Sequence, residues 1–442
     1  MPHTPYATAH AAILENAMQQ HAAGQLEQAR AGYHRLLKAA PRHADALHML
    51  GVLEAQLGHN TQAAELIARA IAVHPNEAMF HNNLGNVEAR SGRLDEAQAR
   101  YRRALELDPS RCDALNNLGV LLSRRGQPEE GERLLRRACE GAPDFADAQQ
   151  NLANHCLREG RVAEALEICV KALIICPRDE NLRRVLGKVY LSQGMLDEAT
   201  ALYRTWLEEV PDSVEAKFHL AACSGESVPT RAPDNYVAHI FDRFADSFDA
   251  QLASLSYRAP ELVAQAVARH APWPSANWDV IDAGCGTGLC GPLLKPWARR
   301  MVGVDLSRGM LKQARSRKLY DELVQGELVA FLSARPASCE LLASADTLCY
   351  FGELPGFAAA ARTALRPAGW LVFTVEAHAD EPGAPDFQLQ GHGRYSHRRG
   401  YVEAVLQGAG LTPVDVQAVV LRMEAGQPVN GWLVSARAEP AA

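Results

Sequence analysis

Val280-Ile-Asp-Ala-Gly-Cys-Gly-Thr-Gly-Leu-Cys-Gly291 is the stretch that decides the fold of the second half of the chain. A short apolar run, Asp279-Val-Ile281, leads into Asp282 and three glycines at alternate positions, Gly284, Gly286 and Gly288; helix-forming sequence follows. The pattern predicts a strand, a tight turn and a helix from about residue 288. Glycine is needed where backbone turns sharply or approaches a ligand without a Cβ in the way. Exposed N–H groups at a helix start favour a polar or anionic ligand group. Taken alone, such a loop is also no more than a tight strand-to-helix turn. A second apolar run, Met301-Val-Gly-Val304, then ends in Asp305. An acid about 20 residues beyond the glycines suits a ribose hydroxyl pair in a doubly wound fold.

The form differs from the dinucleotide fingerprint, because Asp282-x-Gly-x-Gly-x-Gly288 starts with an acid inside the strand end. It resembles motif I of class I S-adenosylmethionine methyltransferases, with Gly303-Val-Asp305 as the following motif. The resemblance implies S-adenosyl-L-methionine as cofactor. It places Gly284, Cys285, Gly286 and Gly288 at the methionine part, with Asp282 helping to hold its amino group. Asp305 would then bind the ribose hydroxyls and Leu306 would flank the adenine. Gly326-Glu327 stands where the family usually has a Gly-Asp that caps the adenine amino group, so Glu327 is a departure by one methylene.

The first half is one unit repeated. Prolines fall at 41, 75, 109, 143, 177 and 211, each 34 residues after the last, and Gly24, Gly58, Gly92, Gly126, Gly160 and Gly194 keep the same step. So does the small-residue series Ala29, Ala63, Ala97, Gly131, Ala165 and Ala199. This period is the tetratricopeptide signature. Each unit reads as two helices, with glycine ending the first and proline stopping the chain after the second. Such pairs stack into a solenoid because none can bury its apolar face alone. Six repeats span about 10–213, after a tail at 1–9, and a closing helix brings the array to 223.

Asn83, Asn117 and Asn151 occupy one equivalent position, two before a small residue of the first helix. Two readings stay open. They are consensus residues on a solvated face, or they form a polar ladder on the concave face. The superhelix of O-GlcNAc transferase, which these repeats resemble, holds an extended peptide with such asparagines.

Ser224-Gly-Glu-Ser-Val-Pro-Thr-Arg-Ala-Pro233 breaks the repeat and has linker composition, which places a linker at 224–235. Next, Ile240, Phe241, Phe244 and Phe248 recur at helical spacing, as an amphipathic helix packed on a sheet or as a lid over a ligand. From 278 onward strands and helices alternate through a fifth strand at 369–375, which argues for a parallel sheet covered on both faces. Two strand-like runs, 414–422 and 429–436, close the chain as a hairpin around Gly426-Gln-Pro428. With the segment from Tyr236 to Leu262, the whole chain resembles a family of predicted bacterial methyltransferases that carry tetratricopeptide repeats. The implied fold is an all-α solenoid followed by an α/β Rossmann-like domain at 236–442. Its sheet would be mostly parallel and seven-stranded, with an antiparallel C-terminal hairpin.

Ala345-Asp-Thr-Leu-Cys-Tyr350 matches the family segment that borders the transferred methyl, making Asp346 and Tyr350 candidates for the reaction face. A helix cap and a core aromatic are their plainer roles. Gly391-His-Gly-Arg-Tyr-Ser-His-Arg-Arg399 reads as a basic, histidine-rich loop that could bind an acidic substrate or supply a base. Tyr395 and His397 match the family pattern within it; a solvated loop with Ser396 capping the next helix is the alternative. His378, His392 and His397 are the candidate bases if the acceptor must lose a proton.

Net charge is −7, so no global basic field favours nucleic acid. No apolar run has membrane-spanning length, and Met1-Pro-His-Thr-Pro5 lacks the features of a signal peptide. The ten cysteines are scattered without a Cys-x-x-Cys pair, which reads as reduced thiols in a cytoplasmic protein with no metal site. These features together predict an S-adenosylmethionine-dependent methyltransferase whose repeat arm recruits a protein or peptide. The alternatives are a small-molecule methyltransferase whose arm serves assembly only, and a non-catalytic adaptor. Motif I and Asp305, both intact, argue against the adaptor.

Overall fold

The computed structural model describes residues 5–439 except 272, 275, 380, 382 and 425. It divides into two compact units, Met1–Val189 and Tyr190–Ala442. The first four residues of the expected tail, and with them most of the stretch read for a signal peptide, lie outside the described residues. The rest of that tail is helical, because Pro5, pre-set in φ for a first helical turn, opens α1 (Pro5–Ala22).

The first unit is a run of helix pairs. α1 and α2 (Leu26–Ala39), α3 (Ala44–Gln56) and α4 (Asn60–Val73), α5 (Ala78–Arg90) and α6 (Leu94–Leu107) follow the 34-residue step. So do α7 (Cys112–Arg124) and α8 (Pro128–Gly141), then α9 (Ala146–Arg158) and α10 (Val162–Ile175). The glycine after each first helix, from Gly24 to Gly160, sits in the left-handed region with φ between 73° and 86°. The small residue inside the first helix is a packing requirement. A Cβ on Gly85 would fall 2.6 Å from the Tyr101 ring of the paired helix.

The unit boundary falls within α11 (Glu180–Ser192). α12 (Leu196–Glu209) and the closing helix α13 (Val214–Ser224) therefore belong to the second unit. The expected linker at 224–235 is also built into that unit. Ala232 donates its N–H to the Tyr350 carbonyl at 2.8 Å, and Gly352 donates to the Thr230 carbonyl at 2.8 Å. Linker composition gave turns, but extended backbone also carries donors and acceptors that pair when a partner strand is near. Phe218 of α13, Tyr236 of α14 (Asp234–Phe244) and Tyr395 pack in one core with Ala232 and Leu389.

The sheet of the second unit runs β3 (Glu322–Gln325), β2 (Ala298–Asp305), β1 (Trp278–Ala283), β4 (Cys339–Ser344), β5 (Leu365–Ala377), all parallel. β9 (Gln427–Ala438) lies antiparallel on β5, and β8 (Leu411–Glu424) antiparallel on β9. These are the seven strands expected. Two more, β6 (Phe387–Leu389) and β7 (Tyr395–His397), form a small ribbon, with β7 parallel to the end of β5. The basic loop expected at 391–399 is therefore ordered sheet edge over part of its length.

Helices α16 (Ala259–His270), α18 (Arg308–Ser316), α19 (Leu328–Ser333), α20 (Pro355–Ala364) and α21 (Arg399–Gly408) accompany the sheet. The helix expected from 288 is only one turn, α17 (Gly291–Leu294). Gly284, Gly286 and Gly288 all have positive φ, so no helix can begin before them, and β2 starts at Ala298. β1 lies between β2 and β4, so successive strands leave it in opposite directions. The crevice outside the carboxyl ends of β1 and β4 is where open α/β sheets take ligands. Among the described residues no helix is long and apolar enough to cross a membrane.

Candidate functional site

A cavity of about 310 Å³ occupies that crevice. Its floor is the loop after β1. Gly284, Cys285 and Gly286 line it together with Asp305 and Leu306 from the end of β2. Asp305 holds the loop in place: its carboxylate accepts from the Gly286 N–H at 2.9 Å and the Ser307 N–H at 2.8 Å. Burial pushes the Asp305 carboxyl up, and these backbone donors oppose the rise. The remaining lone pairs of its two oxygens can still accept from a pair of hydroxyls. Gly286, at φ 54°, has open space where a Cβ would stand, so backbone rather than side chain meets the cavity there. Glycine is equally required at 284. Its φ is 71°, and a Cβ would fall 2.1 Å from Thr347 Oγ1. The cavity thus brings together Gly284, Cys285 and Gly286, expected at the methionine part, with Asp305 and Leu306, expected at the nucleoside.

Two expected cofactor residues are used differently. Asp282 is 1% exposed and accepts from the Tyr320 hydroxyl at 2.6 Å. It is not among the residues lining the cavity. Burial pushes its carboxyl up to about 7, against the Tyr320 hydrogen bond. Gly288 is likewise absent from the lining and abuts Tyr320 and Arg317. Glu327 does line the cavity, while its oxygens cap α19 by accepting from Val329 N–H at 2.9 Å and Ala330 N–H at 2.7 Å. Arg231, from the expected linker, adds a third bond to Glu327 at 2.5 Å.

The opposite wall is aromatic. Ile240, Phe241, Phe244 and Phe248 all face the cavity, from α14 and α15 (Phe248–Ser254). The other side of this segment is latched to the loops after β1 and β2 and to α18 by three aspartates. Asp242 accepts from Ser307 Oγ at 2.5 Å and Gly309 N–H at 2.8 Å. Asp246 accepts from Gln313 at 2.8 Å, and Asp249 from Thr287 Oγ1 at 2.5 Å and from Arg317. Their spacing of four and three residues puts them on one helical face. That spacing was the available signal, and sequence reasoning used only the phenylalanines.

Asp346 and Tyr350 both line the cavity. Asp346 follows β4 with φ 56°, a left-handed conformation that aspartate tolerates better than most residues. Its Oδ2 accepts from Arg422 Nη1 at 2.5 Å, and its buried Oδ1 has no partner among the described residues. Burial pushes the carboxyl up although Arg422 opposes it. The Tyr350 ring meets Phe241 edge-on at 5.6 Å.

Tyr395 and His397 lie outside the lining and are fully buried. Tyr395 donates to the Pro229 carbonyl at 2.7 Å, and His397 Nε2 pairs with the Gly352 carbonyl at 3.1 Å. Burial pushes His397 down to about 4. Ser396 caps no helix; its hydroxyl accepts from Gln390 at 2.7 Å. The ribbon instead sends Arg394 into the cavity wall beside Arg422 and Glu424 of β8. The clue to Arg422 was a charge inside the apolar run Val419-Val-Leu-Arg-Met423.

In the first unit the three asparagines do form a row, but their amides bond across repeats. Asn117 Nδ2 donates to Asn82 Oδ1 and Asn86 Oδ1, both at 3.0 Å. Asn151 Nδ2 donates to Asn116 Oδ1 at 2.9 Å, and Asn83 Nδ2 to His48 Nε2 at 2.8 Å. His48 can accept because burial pushes its pKa down to about 4 and keeps it neutral.

Residues 281–373 match the family model described as a methyltransferase domain. Tetratricopeptide models match 20–59, 48–111, 82–144 and 116–180, and a second such model matches 156–223. The chain carries tetratricopeptide repeats and a methyltransferase domain. It is 40% identical over 86 residues to methyltransferase-like protein 27 of Homo sapiens, covering 19% of this chain and 35% of that protein. It is 26% identical over 165 residues to malonyl-(acyl-carrier protein) O-methyltransferase of Yersinia pestis, covering 37% and 59%. It is 28% identical over 226 residues to a probable S-adenosylmethionine-dependent methyltransferase of Mycolicibacterium smegmatis, covering 46% and 86%. The chain thus spans less than two thirds of the length of the first two relatives. The methyltransferase-domain match begins on β1 and ends on β5, and so contains the glycine loop, Asp305 and Asp346 but not the ribbon or β8.

Proposed function

We propose that the chain is an S-adenosylmethionine-dependent methyltransferase and that its repeat arm recruits a protein or peptide. The observation that carries the first part is the stapling of Gly286 to Asp305 on the cavity floor, inside a segment that matches methyltransferase domains. The named relative in Mycolicibacterium smegmatis supports the cofactor. The cofactor supplies an activated methyl group, so the protein's task is alignment in a site that excludes water. Asp305 would hold the ribose, the glycine loop would face the methionine part, Leu306 and Glu327 would border the adenine, and the phenylalanines of α14 and α15 would exclude water. Asp346 and Tyr350 stand on the side left for the acceptor.

Recruitment rests on the repeats, which commonly form extended concave binding surfaces. A second reading has the same chemistry on a small molecule, with the arm used in assembly. Its specific support is that both amide hydrogens of Asn117 already bond to Asn82 and Asn86, which leaves no donor for a peptide carbonyl. Calorimetry of the full chain with S-adenosylhomocysteine tests the cofactor, and NAD binding more tightly would overturn the class. Labelling a cell extract with tritiated S-adenosylmethionine, then separating protein from small molecules, decides between the two acceptors.

A further inference from the structure

Three carboxylates and two guanidiniums meet at one end of the cavity. Arg422, 3% exposed, bonds a different acid through each nitrogen: Nη1 to Asp346 at 2.5 Å, Nε to Glu424 at 2.7 Å, and Nη2 to Glu376. Arg394 donates to Glu376 at 2.6 Å and to both Glu424 oxygens at 2.8 and 2.7 Å. His392, 43% exposed, lies 3.7 Å from Glu376; desolvation of its ring and then the Arg394 guanidinium push it down to about 4, so it adds no charge near neutrality. With Asp346, Glu376 and Glu424 all ionised the cluster is one positive charge short; an uncompensated buried charge is costly, and burial accordingly pushes the Asp346 carboxyl up.

The shortage has an address. Both oxygens of Glu424 are bonded, whereas Asp346 Oδ1 is buried without a partner among the described residues, and its residue lines the cavity. An anionic acceptor would add a second unmatched charge. A cationic one would complete the set, and the aromatic rings of Tyr257 and Tyr350 in the same lining favour it too.

We propose that the methyl acceptor is an amine, cationic in water, received by Asp346 Oδ1; this rests on the methyltransferase reading above. Asp346 takes one proton from the ammonium and frees the nitrogen lone pair. That pair forms the N–CH₃ bond as the S–CH₃ bond of S-adenosylmethionine breaks. The electrons of the broken bond stay on sulfur, giving S-adenosylhomocysteine. The methylated amine leaves as a cation and Asp346 returns its proton to solvent.

The test uses the full chain, tritiated S-adenosylmethionine and extract of the source cell. Labelled product is treated with mild base, hydrolysed in acid and passed over a cation exchanger at neutral pH. Non-volatile label retained on the exchanger is expected, and Asp346→Asn should lower it roughly 100-fold or more. Volatile label, unretained label or no label, from protein that binds S-adenosylhomocysteine, overturns the amine. Protein that does not bind S-adenosylhomocysteine sinks the methyltransferase reading itself. If Asp346→Asn weakens S-adenosylmethionine but not S-adenosylhomocysteine, Asp346 faces the sulfonium and the proposal falls. The wild-type label decides the acceptor class even where the variant does not fold.

Discussion

Gly286 donates its backbone N–H to the side chain of Asp305 at 2.9 Å, so the glycine loop and the acid of the next strand form one rigid piece. The two are 19 residues apart. Removing the acid therefore does two things: it takes away the acceptors for a ligand's hydroxyls and it releases the loop. Asp305→Ala should weaken S-adenosylhomocysteine binding by roughly 1–3 kcal/mol. Calorimetry reads this directly, and unchanged affinity would remove Asp305 from the site.

A Cβ at Gly284 meets Thr347 and also forces a side chain onto a left-handed backbone. Gly284→Ala should abolish measurable cofactor binding. Gly284→Ala with Thr347→Gly removes the side chain that a Cβ at 284 would meet and leaves the backbone strain, about 1–2 kcal/mol. Partial recovery in the double variant is expected, and no recovery would show that Thr347 is not what the glycine avoids.

Sequence periodicity was enough for the solenoid and for β1 to β5, because packing demands recur there at fixed spacing. Gly24 to Gly194 and the 34-residue prolines mark helix ends, and alternating elements mark a parallel sheet. The cavity floor was legible for a similar reason, since a loop that presents backbone must be glycine. Long-range partners were not legible. Nothing near Arg422 in sequence announces Asp346, 76 residues away, or Glu376, 46 residues away. Tyr395 and His397 stood out by pattern, but their polar atoms serve the carbonyls of Pro229 and Gly352. Their neighbour Arg394 is the one that reaches the cavity.

Tyr395→Phe should accordingly act on stability. It leaves the half-buried Pro229 carbonyl without the hydroxyl that donates to it, at a cost of about 0.5–1.5 kcal/mol. Affinity for S-adenosylhomocysteine should stay at the wild-type value, because Tyr395 does not line the cavity. Thermal melts and calorimetry on the same preparation separate the two effects. Lost affinity with an intact melt would put Tyr395 back at the site.

Asp282 predicts a pH dependence with a definite sign. Its carboxyl is raised to about 7 by burial in the folded chain, against an ordinary value of 3.8. Between those values the folded chain holds a proton that the unfolded chain has released. The stabilisation is complete below the unfolded value, declines as pH rises, and is lost above about 7. The decline is at most about 1.4 kcal/mol per pH unit. Asp282→Asn should remove it, so denaturation midpoints of the variant should gain on wild type from pH 5 to 7. Parallel profiles would show that the carboxyl titrates normally.

The asparagine row makes the last prediction. Asn83, Asn117 and Asn151 carry four amide bonds to His48, Asn82, Asn86 and Asn116 of the preceding repeats. Stability in a solenoid is a sum of repeat terms and nearest-neighbour terms, and these bonds belong to the second kind. Each contributes about 0.5–1.5 kcal/mol. Replacing all three by alanine should lower and broaden the melt of the repeat region, because coupling between neighbours is what makes such arrays unfold together. At a temperature where the variant remains folded, labelling of the native acceptor should match wild type. A row built to hold a peptide gives the opposite pair of results, an unchanged melt with a raised KM. The acceptor oxygens still leave an intermediate case, since Asn151 Oδ1 can take a peptide N–H even while its amide nitrogen is engaged. Asn151→Asp separates that case. It keeps the oxygens and loses the donor to Asn116, so a lowered melt with unchanged KM assigns the position to the joint between repeats.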